Sequence, residues 1–98
     1  MLSRIPIDNR VPYQRFSVQL SNRLIEFELR WLVQYNFFAV NLYEDGEPIT
    51  LGRGLNPEIN LVRGLNTGLG AIYLSGSPAA LENLGVENSL LYDSEKLS

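Results

Sequence analysis

Glu26 and Glu28 stand two residues apart in the stretch Arg23-Leu24-Ile25-Glu26-Phe27-Glu28-Leu29-Arg30-Trp31. Two acids acting together are the machinery of glycoside hydrolysis, so this pair is the first place to look for acid–base chemistry. The same spacing suits charge pairing across two strands, against Arg15 or Gln19 on a neighbour, and that reading needs no substrate. The sequence contains no cysteine and no histidine. A disulfide framework, thiolate metal ligands and thiol nucleophiles are therefore excluded, as are Ser-His-Asp and Cys-His arrangements and imidazole-run acid–base catalysis. Any reaction would have to rest on carboxylates, Lys96, tyrosine or serine. The chain reads as a non-enzyme with no catalytic residues, no cofactor and no metal.

Two further features invite a ligand and fall short of one. Glycines at 52 and 54, and again at 64, 68 and 70, bring phosphate-cradling loops to mind. Neither cluster continues into Gly-Lys-Ser/Thr, and no helix begins there to aim its N-terminus at a phosphate; bends in a β-fold account for them. Glu44, Asp45 and Glu47 have the charge for calcium. They lack the alternating acids and closing glutamate of a twelve-residue calcium loop, and a hairpin tip explains them.

The aromatic residues carry more information. If Phe38 lies in the core, its neighbours Phe37, Ala39, Asn41 and Tyr43 point to the opposite face, with Tyr35 at the adjoining turn and Trp31 at the end of a buried row. Aromatics gathered at one end of a sheet mark a contact with another protein, because interface cores favour Trp, Tyr, Phe and Arg. The competing reading gives this strand a second buried face. Arg53 and Arg63 stand ten apart in matching contexts, Leu51-Gly52-Arg53-Gly54-Leu55-Asn56 and Leu61-Val62-Arg63-Gly64-Leu65-Asn66. Both are candidates to reach an acidic partner surface, against the plainer reading as solvated arginines. The candidate partner interface is thus Trp31, Tyr35, Phe37, Tyr43, Arg53 and Arg63.

The elements that must position these residues follow from periodicity. Ile25, Phe27, Leu29 and Trp31 alternate with Glu26, Glu28 and Arg30, and a period of two marks a strand with one dry face and one wet face. Phe16, Val18 and Leu20 alternate in the same way with Arg15, Ser17 and Gln19. Only Ser21-Asn22 separates the two runs, which is the length of a tight hairpin. Gln34-Tyr35-Asn36 reads as a turn, followed by a strand with Phe38, Val40 and Leu42 on one face. Asp45-Gly46 then signals a type I′ turn, since both central residues of that turn need positive φ. The expected result is a four-stranded meander from Gln14 to Gly52.

Beyond Gly52, Ile59–Val62, Ala71–Ser75 and Ser89–Tyr92 are expected as short strands. A short helical turn is expected at 78–84, capped by Ser77, opened by Pro78 and closed by Gly85. Residues 1–11, punctuated by Pro6 and Pro12, read as an extended arm, and 93–98 as a flexible tail. About seven short strands make an all-β fold: a small single-domain antiparallel β-sandwich or partly open barrel.

The totals agree with one globular domain. The chain has 98 residues, 45% of them hydrophobic and 19% charged, with a net charge of −3. A chain this long buries roughly 65% of the surface its unfolded form exposes. Its basic residues are scattered, so the electrostatic footprint of a nucleic-acid binder is missing. No run approaches the ~20 apolar residues that span a bilayer, and Met1-Leu2-Ser3-Arg4 lacks the pattern of a secretory signal. The expected partners are proteins, with no nucleic acid and no membrane.

A resemblance runs through the same residues. Ile5-Pro6-Ile7, then Pro12-Tyr13-Gln14-Arg15-Phe16-Ser17-Val18, Phe27-Glu28-Leu29-Arg30-Trp31 and Asn41-Leu42-Tyr43 with Asp45-Gly46 resemble the cyanophage baseplate plug family. Those are small proteins encoded among the tail genes of contractile-tailed phages. The likeness continues through Gly52 and Asn60-Leu61 and ends with Leu90-Leu91-Tyr92. It implies a structural virion protein, made in the host cytoplasm and seated in the tail baseplate as a plug or hub component at the tail axis. It further implies hub, tube or spike proteins as partners, in a multi-copy ring. The alternative that the residues alone leave open is a β-sandwich adaptor or carbohydrate-binding module, with Trp31, Tyr35 and Phe37 as its stacking platform.

Overall fold

Alternating hydrophobicity converts directly into two antiparallel sheets. The computed structural model describes residues 2–65 and 67–97. Its strands are β1 (Leu2–Ile5), β2 (Tyr13–Leu20), β3 (Arg23–Leu32), β4 (Phe37–Glu44), β5 (Glu47–Gly54), β6 (Gly70–Gly76) and β7 (Asn88–Leu97). One sheet is the meander β2-β3-β4-β5; the other runs β1-β7-β6. The two sheets do not close into a barrel, so of the two expected architectures the sandwich is the one that forms.

The hairpins sit where the turn chemistry puts them. Ser21 and Asn22 take φ of 52° and 65°, and Asp45 and Gly46 take 52° and 79°, the left-handed pair that matches the twist of the flanking strands. With the first turn fixed, the register of β2 on β3 follows: Phe16 opposite Phe27, Ser17 opposite Glu26, Arg15 opposite Glu28. A slip of one residue would turn Phe16 and Val18 to water, so the apolar set and the turn enforce the same pairing.

The core lies between the sheets. Ile25, Phe27 and Leu29 of β3 and Phe38, Val40 and Leu42 of β4 are fully buried, facing Ile72, Leu74, Leu90 and Tyr92 of the second sheet. Each large side chain removed from water contributes about 1.5–3 kcal/mol, and together they outweigh the ordering of the chain. Phe16 and Phe27 stack at 5.2 Å with planes 4° apart. Trp31 tilts onto Phe38 at 5.0 Å and is half-buried. Tyr92, at the far side of the core, keeps its hydroxyl satisfied by sharing a hydrogen bond with Ser21 Oγ (2.6 Å) and accepting one from the Gly70 amide (3.2 Å).

Three expectations beyond Gly52 are corrected. Ile59–Val62 is not a strand. The segment instead lies along the free edge of β6: Pro57 bridges Leu74 in parallel, the Glu58 amide donates to the Leu74 carbonyl (2.8 Å), and the Leu61 amide donates to Ile72 (2.7 Å). The side chain of Asn60 fastens the other end, its Oδ1 accepting from Val62 and Ile72 amides. No helix forms at 78–84 or elsewhere among the described residues. Residues 81–86 make consecutive turns, with Ala80 and Asn83 carbonyls each accepting a bond from four residues on. Asn83 Oδ1 takes the Ala80 amide and Asn88 Oδ1 takes the Gly85 amide, so asparagine side chains claim donors that a helix would have used. Ser77 is not a cap; its carbonyl accepts from Asn88 Nδ2.

The third correction concerns the C-terminus. β7 continues to Leu97, so the stretch read as a flexible tail takes strand conformation that far, Asp93 pairing with Ala71 and Leu97 with Gly70. The jump in register between those pairs brings backbone against backbone at Gly70, where a Cβ would collide with the Asp93 carbonyl. The N-terminal arm is built in as well. β1 adds to β7, Ile5 enters the core, and Gln14 clamps the connection by accepting from the Asp8 amide and donating to the Asp8 carbonyl. Asn66 and Ser98, which end the second Gly-Leu-Asn and the expected tail, lie outside the described residues.

Candidate interaction surface

Among the described residues no layer covers the outer face of the four-stranded sheet, which favours the one-sided reading of β4. Phe37, Ala39, Asn41 and Tyr43 are half-buried on that face while Phe38, Val40 and Leu42 fill the core. Two distinct neighbourhoods result, one polar at the centre of the sheet and one apolar at its end.

At the centre, register alone assembles a carboxylate site. Arg15, Glu28 and Asn41 form one cross-strand row; Tyr13 and Arg30 flank it on one side, Glu26 and Tyr43 on the other. Glu28 is only 8% exposed although it lies on the wet face, because these side chains close over it. Tyr13 donates its hydroxyl to Oε2 at 2.6 Å, Asn41 Nδ2 donates to Oε1 at 2.9 Å, and Tyr43 donates to Oε1 at 3.3 Å. Arg30 approaches Oε2 at 3.7 Å, and its guanidinium lies 5.4 Å from the Tyr13 ring centre. These bonds favour the charged form, so the Glu28 carboxyl is held below its ordinary range, by Asn41 first and Tyr13 next. The Tyr13 phenol is pushed up in return, chiefly by its bond to Glu28.

Glu26 does not join Glu28 in a working pair. It binds Arg15, whose guanidinium also lies 5.8 Å from the Tyr43 ring centre. The two acids are thus committed to different partners across β2 and β4, the cross-strand outcome. Asn41 extends the network to the edge by accepting the Gly52 amide at 2.6 Å, pinning a bulge in β5. At the opposite end of the sheet, Arg23 grips Glu44 with two parallel bonds of 2.9 and 2.7 Å and donates a third to the Thr67 carbonyl. Arg23 holds the Glu44 carboxyl below its ordinary range. Glu44, once a candidate for calcium, is committed to that arginine.

The apolar neighbourhood is the β3–β4 turn. The Leu32 carbonyl accepts from the Tyr35 and Asn36 amides, and these turns place Val33 and Tyr35 outward, 73% and 68% exposed, with Asn36 at φ 53° turning the chain back. Tyr35 leans on Phe37 at 6.3 Å with planes 51° apart. Trp31, Leu32, Val33, Gln34 and Tyr35 line an open hollow of about 240 Å³. Of the six candidate contact residues, the structure therefore gathers three here: Trp31, Tyr35 and Phe37.

The other three lie elsewhere. Tyr43 belongs to the Glu28 site, six residues or roughly 20 Å along β4 from Phe37. Arg53 reaches inward over the adjoining loop, Nε donating to the Leu61 carbonyl (3.1 Å) and NH2 to the Arg63 carbonyl (2.8 Å). Its matched context with Arg63 thus reflects direct bonding between the two segments; Arg63 itself is exposed. Two contributors escaped the sequence reading. Val33 was hidden because a lone valine in a turn carries no period. Tyr13 was hidden because its place beside Glu28 depends on counting register back from Ser21-Asn22.

The family model described as "Cyanophage baseplate Pam3 plug gp18" matches residues 2–96 of the chain. No curated protein matches it.

Proposed function

The chain belongs to the cyanophage baseplate plug family, a structural component of the phage tail, and from that membership we propose that it acts as a plug at the tail axis, bridging hub, tube or spike proteins in a multi-copy ring. Assembly takes place in the host cytoplasm, before the particle is complete. The observation that supports a bridging role most directly is the β3–β4 turn, where Val33 and Tyr35 stand in water beside half-buried Trp31 and Phe37. Aromatic side chains at the rim of a rigid sheet supply contact area at small entropic cost, and their burial against a neighbour contributes the bulk of such an interface. Arg63 and the outer-face Tyr43 offer secondary contacts, while Arg53 serves by holding the Leu61–Arg63 loop in shape.

A sugar-binding platform fits the same residues less well. The Tyr35 and Phe37 rings are inclined by 51°, and Trp31 is tilted down onto Phe38, so no flat aromatic surface is presented. The uneven apolar surface they form suits contact with another protein.

A phage carrying Val33→Ser and Tyr35→Ala tests the reading. Purified tails should contain little or no plug protein by quantitative mass spectrometry, although the variant protein is made and folded. A photo-crosslinker placed at Tyr35 should capture a hub, tube or spike protein. Wild-type incorporation of the double variant, or crosslinks confined to head proteins, would overturn the proposal.

A further inference from the structure

The four-stranded sheet has one defended edge and one undefended edge. β5 carries Pro48 and two register shifts against β4, devices that stop another strand from adding. The second sheet is guarded as well: the 57–62 segment covers β6, and β1 offers only four residues. β2 has none of these devices. It is eight residues long, has no proline, glycine or bulge, and pairs with β3 in unbroken register.

Its open hydrogen-bonding groups can be read from the hairpin. A two-residue turn closes on a bonded pair, Leu20 with Arg23, and bonded and non-bonded pairs then alternate. Leu20, Val18 and Phe16 direct their N–H and C=O groups to β3. Gln19, Ser17, Arg15 and Tyr13 direct theirs outward, and among the described residues no backbone bond beyond the sheet takes up those of Arg15, Ser17 or Gln19. Half-buried Phe16 and Val18 flank this ladder on the core side.

We infer that β2 pairs with β2 of a second copy of the chain, antiparallel about a two-fold axis at Phe16, to form a continuous eight-stranded sheet in the free protein. Only a register pairing odd-numbered residues with odd-numbered ones matches the outward groups of both strands. Centring it on Phe16 sets Arg15 opposite Ser17 and Tyr13 opposite Gln19, giving about eight backbone hydrogen bonds. The side chains agree on both faces. In the core row the stacked Phe16–Phe27 pair meets its own image, so four rings run Phe27, Phe16, Phe16, Phe27 across the axis. On the outer face each row reads Glu28, Arg15, then Ser17 and Glu26 of the second copy. Arg15 of one copy therefore faces Glu26 of the other across a small serine, an acid-base-acid order that repeats by symmetry. This charge complementarity favours a second copy over an unrelated strand. The pairing goes beyond the baseplate reading and does not use the β3–β4 turn.

Sedimentation across a concentration series, with residue-resolved amide exchange, tests the inference. Wild-type protein should shift from monomer to dimer, and exchange at Arg15, Ser17 and Gln19 should slow as dimer forms while the Tyr35 amide is unchanged. Ser17→Lys sets a lysine opposite Arg15 of the second copy twice over. It should weaken association roughly tenfold or more while leaving the circular-dichroism spectrum and Tm of the monomer intact. A wild-type chain that stays monomeric throughout would overturn the inference. So would a dimer that survives Ser17→Lys, or one in which those three amides exchange freely.

Discussion

Tyr13 and Glu28, fifteen residues apart in sequence, are joined by a 2.6 Å hydrogen bond on the outer face of the sheet. The bond exists because a two-residue turn sets Arg15 opposite Glu28 and leaves Tyr13 on the diagonal. It gives stability a pH dependence at both extremes. Glu28 has its folded pKa below the unfolded value, so its contribution is complete above the ordinary carboxylate range and is lost as pH falls through the lowered value. Tyr13 has its folded pKa raised, so its contribution is complete below the ordinary phenol value and is lost as pH rises through the raised one. Urea denaturation across pH should show the acid limb flatten in Glu28→Gln and the alkaline limb flatten in Tyr13→Phe.

Asn41 divides its amide between two strands, donating to Glu28 and accepting from Gly52. Asn41→Ala leaves a mostly enclosed carboxylate without its strongest neutral donor and frees the β5 bulge. The expected loss is about 1–3 kcal/mol, read from the denaturation midpoint at unchanged m-value.

Gly70 sits where β6 and β7 approach backbone to backbone. An added Cβ would overlap the Asp93 carbonyl and crowd Ser94 Cα, neither of which is the free end of a flexible side chain. Gly70→Ala should cost about 3 kcal/mol and lower Tm by ten degrees or more, since for a chain this long 1 kcal/mol shifts Tm by roughly 4–8 °C. Gly46→Ala makes a useful contrast: nothing lies within contact distance of its Cβ, and the penalty there comes only from its φ of 79°.

Arg53 bonds two carbonyls of the neighbouring loop and no carboxylate among the described residues. Arg53→Ala should leave global stability nearly unchanged while loosening the loop it spans. Faster amide exchange at Leu61–Arg63, with exchange in β3 and β4 unaltered, is the expected signature.

Much of the fold is legible in the chain because two cues coincide along it. From Phe16 to Leu42 the apolar residues keep a period of two, and Ser21-Asn22 and Asp45-Gly46 fix where each run folds back. Beyond Gly52 the cues separate. Ile59-Asn60-Leu61-Val62 has strand-forming residues, but its bonds go to the edge of β6 through Asn60 and single amides, a tertiary arrangement with no period of its own. Asp93-Ser94-Glu95-Lys96 reads as solvated tail because it is polar throughout and has no apolar alternation, yet Asp93 pairs with Ala71 and Leu97 with Gly70. Likewise Pro78 to Gly85 has the composition of a helical turn, yet Asn83 and Asn88 take its amides. The end patch was partly legible, since Tyr35 and Phe37 declare themselves by type. Arg53 was not, because only the folded chain shows that its charge points home.

The bulges that kink β5 and the strap that seals β6 have a consequence at the scale of many molecules. An all-β chain with two open flanks can stack without limit, each copy templating the next, which is the route to fibrils. Here backbone templating is restricted to a single long flank, and a copy that adds there about a dyad consumes it. With the inferred pairing, growth by strand addition ends at two and leaves no long flank on which a fibril could be templated.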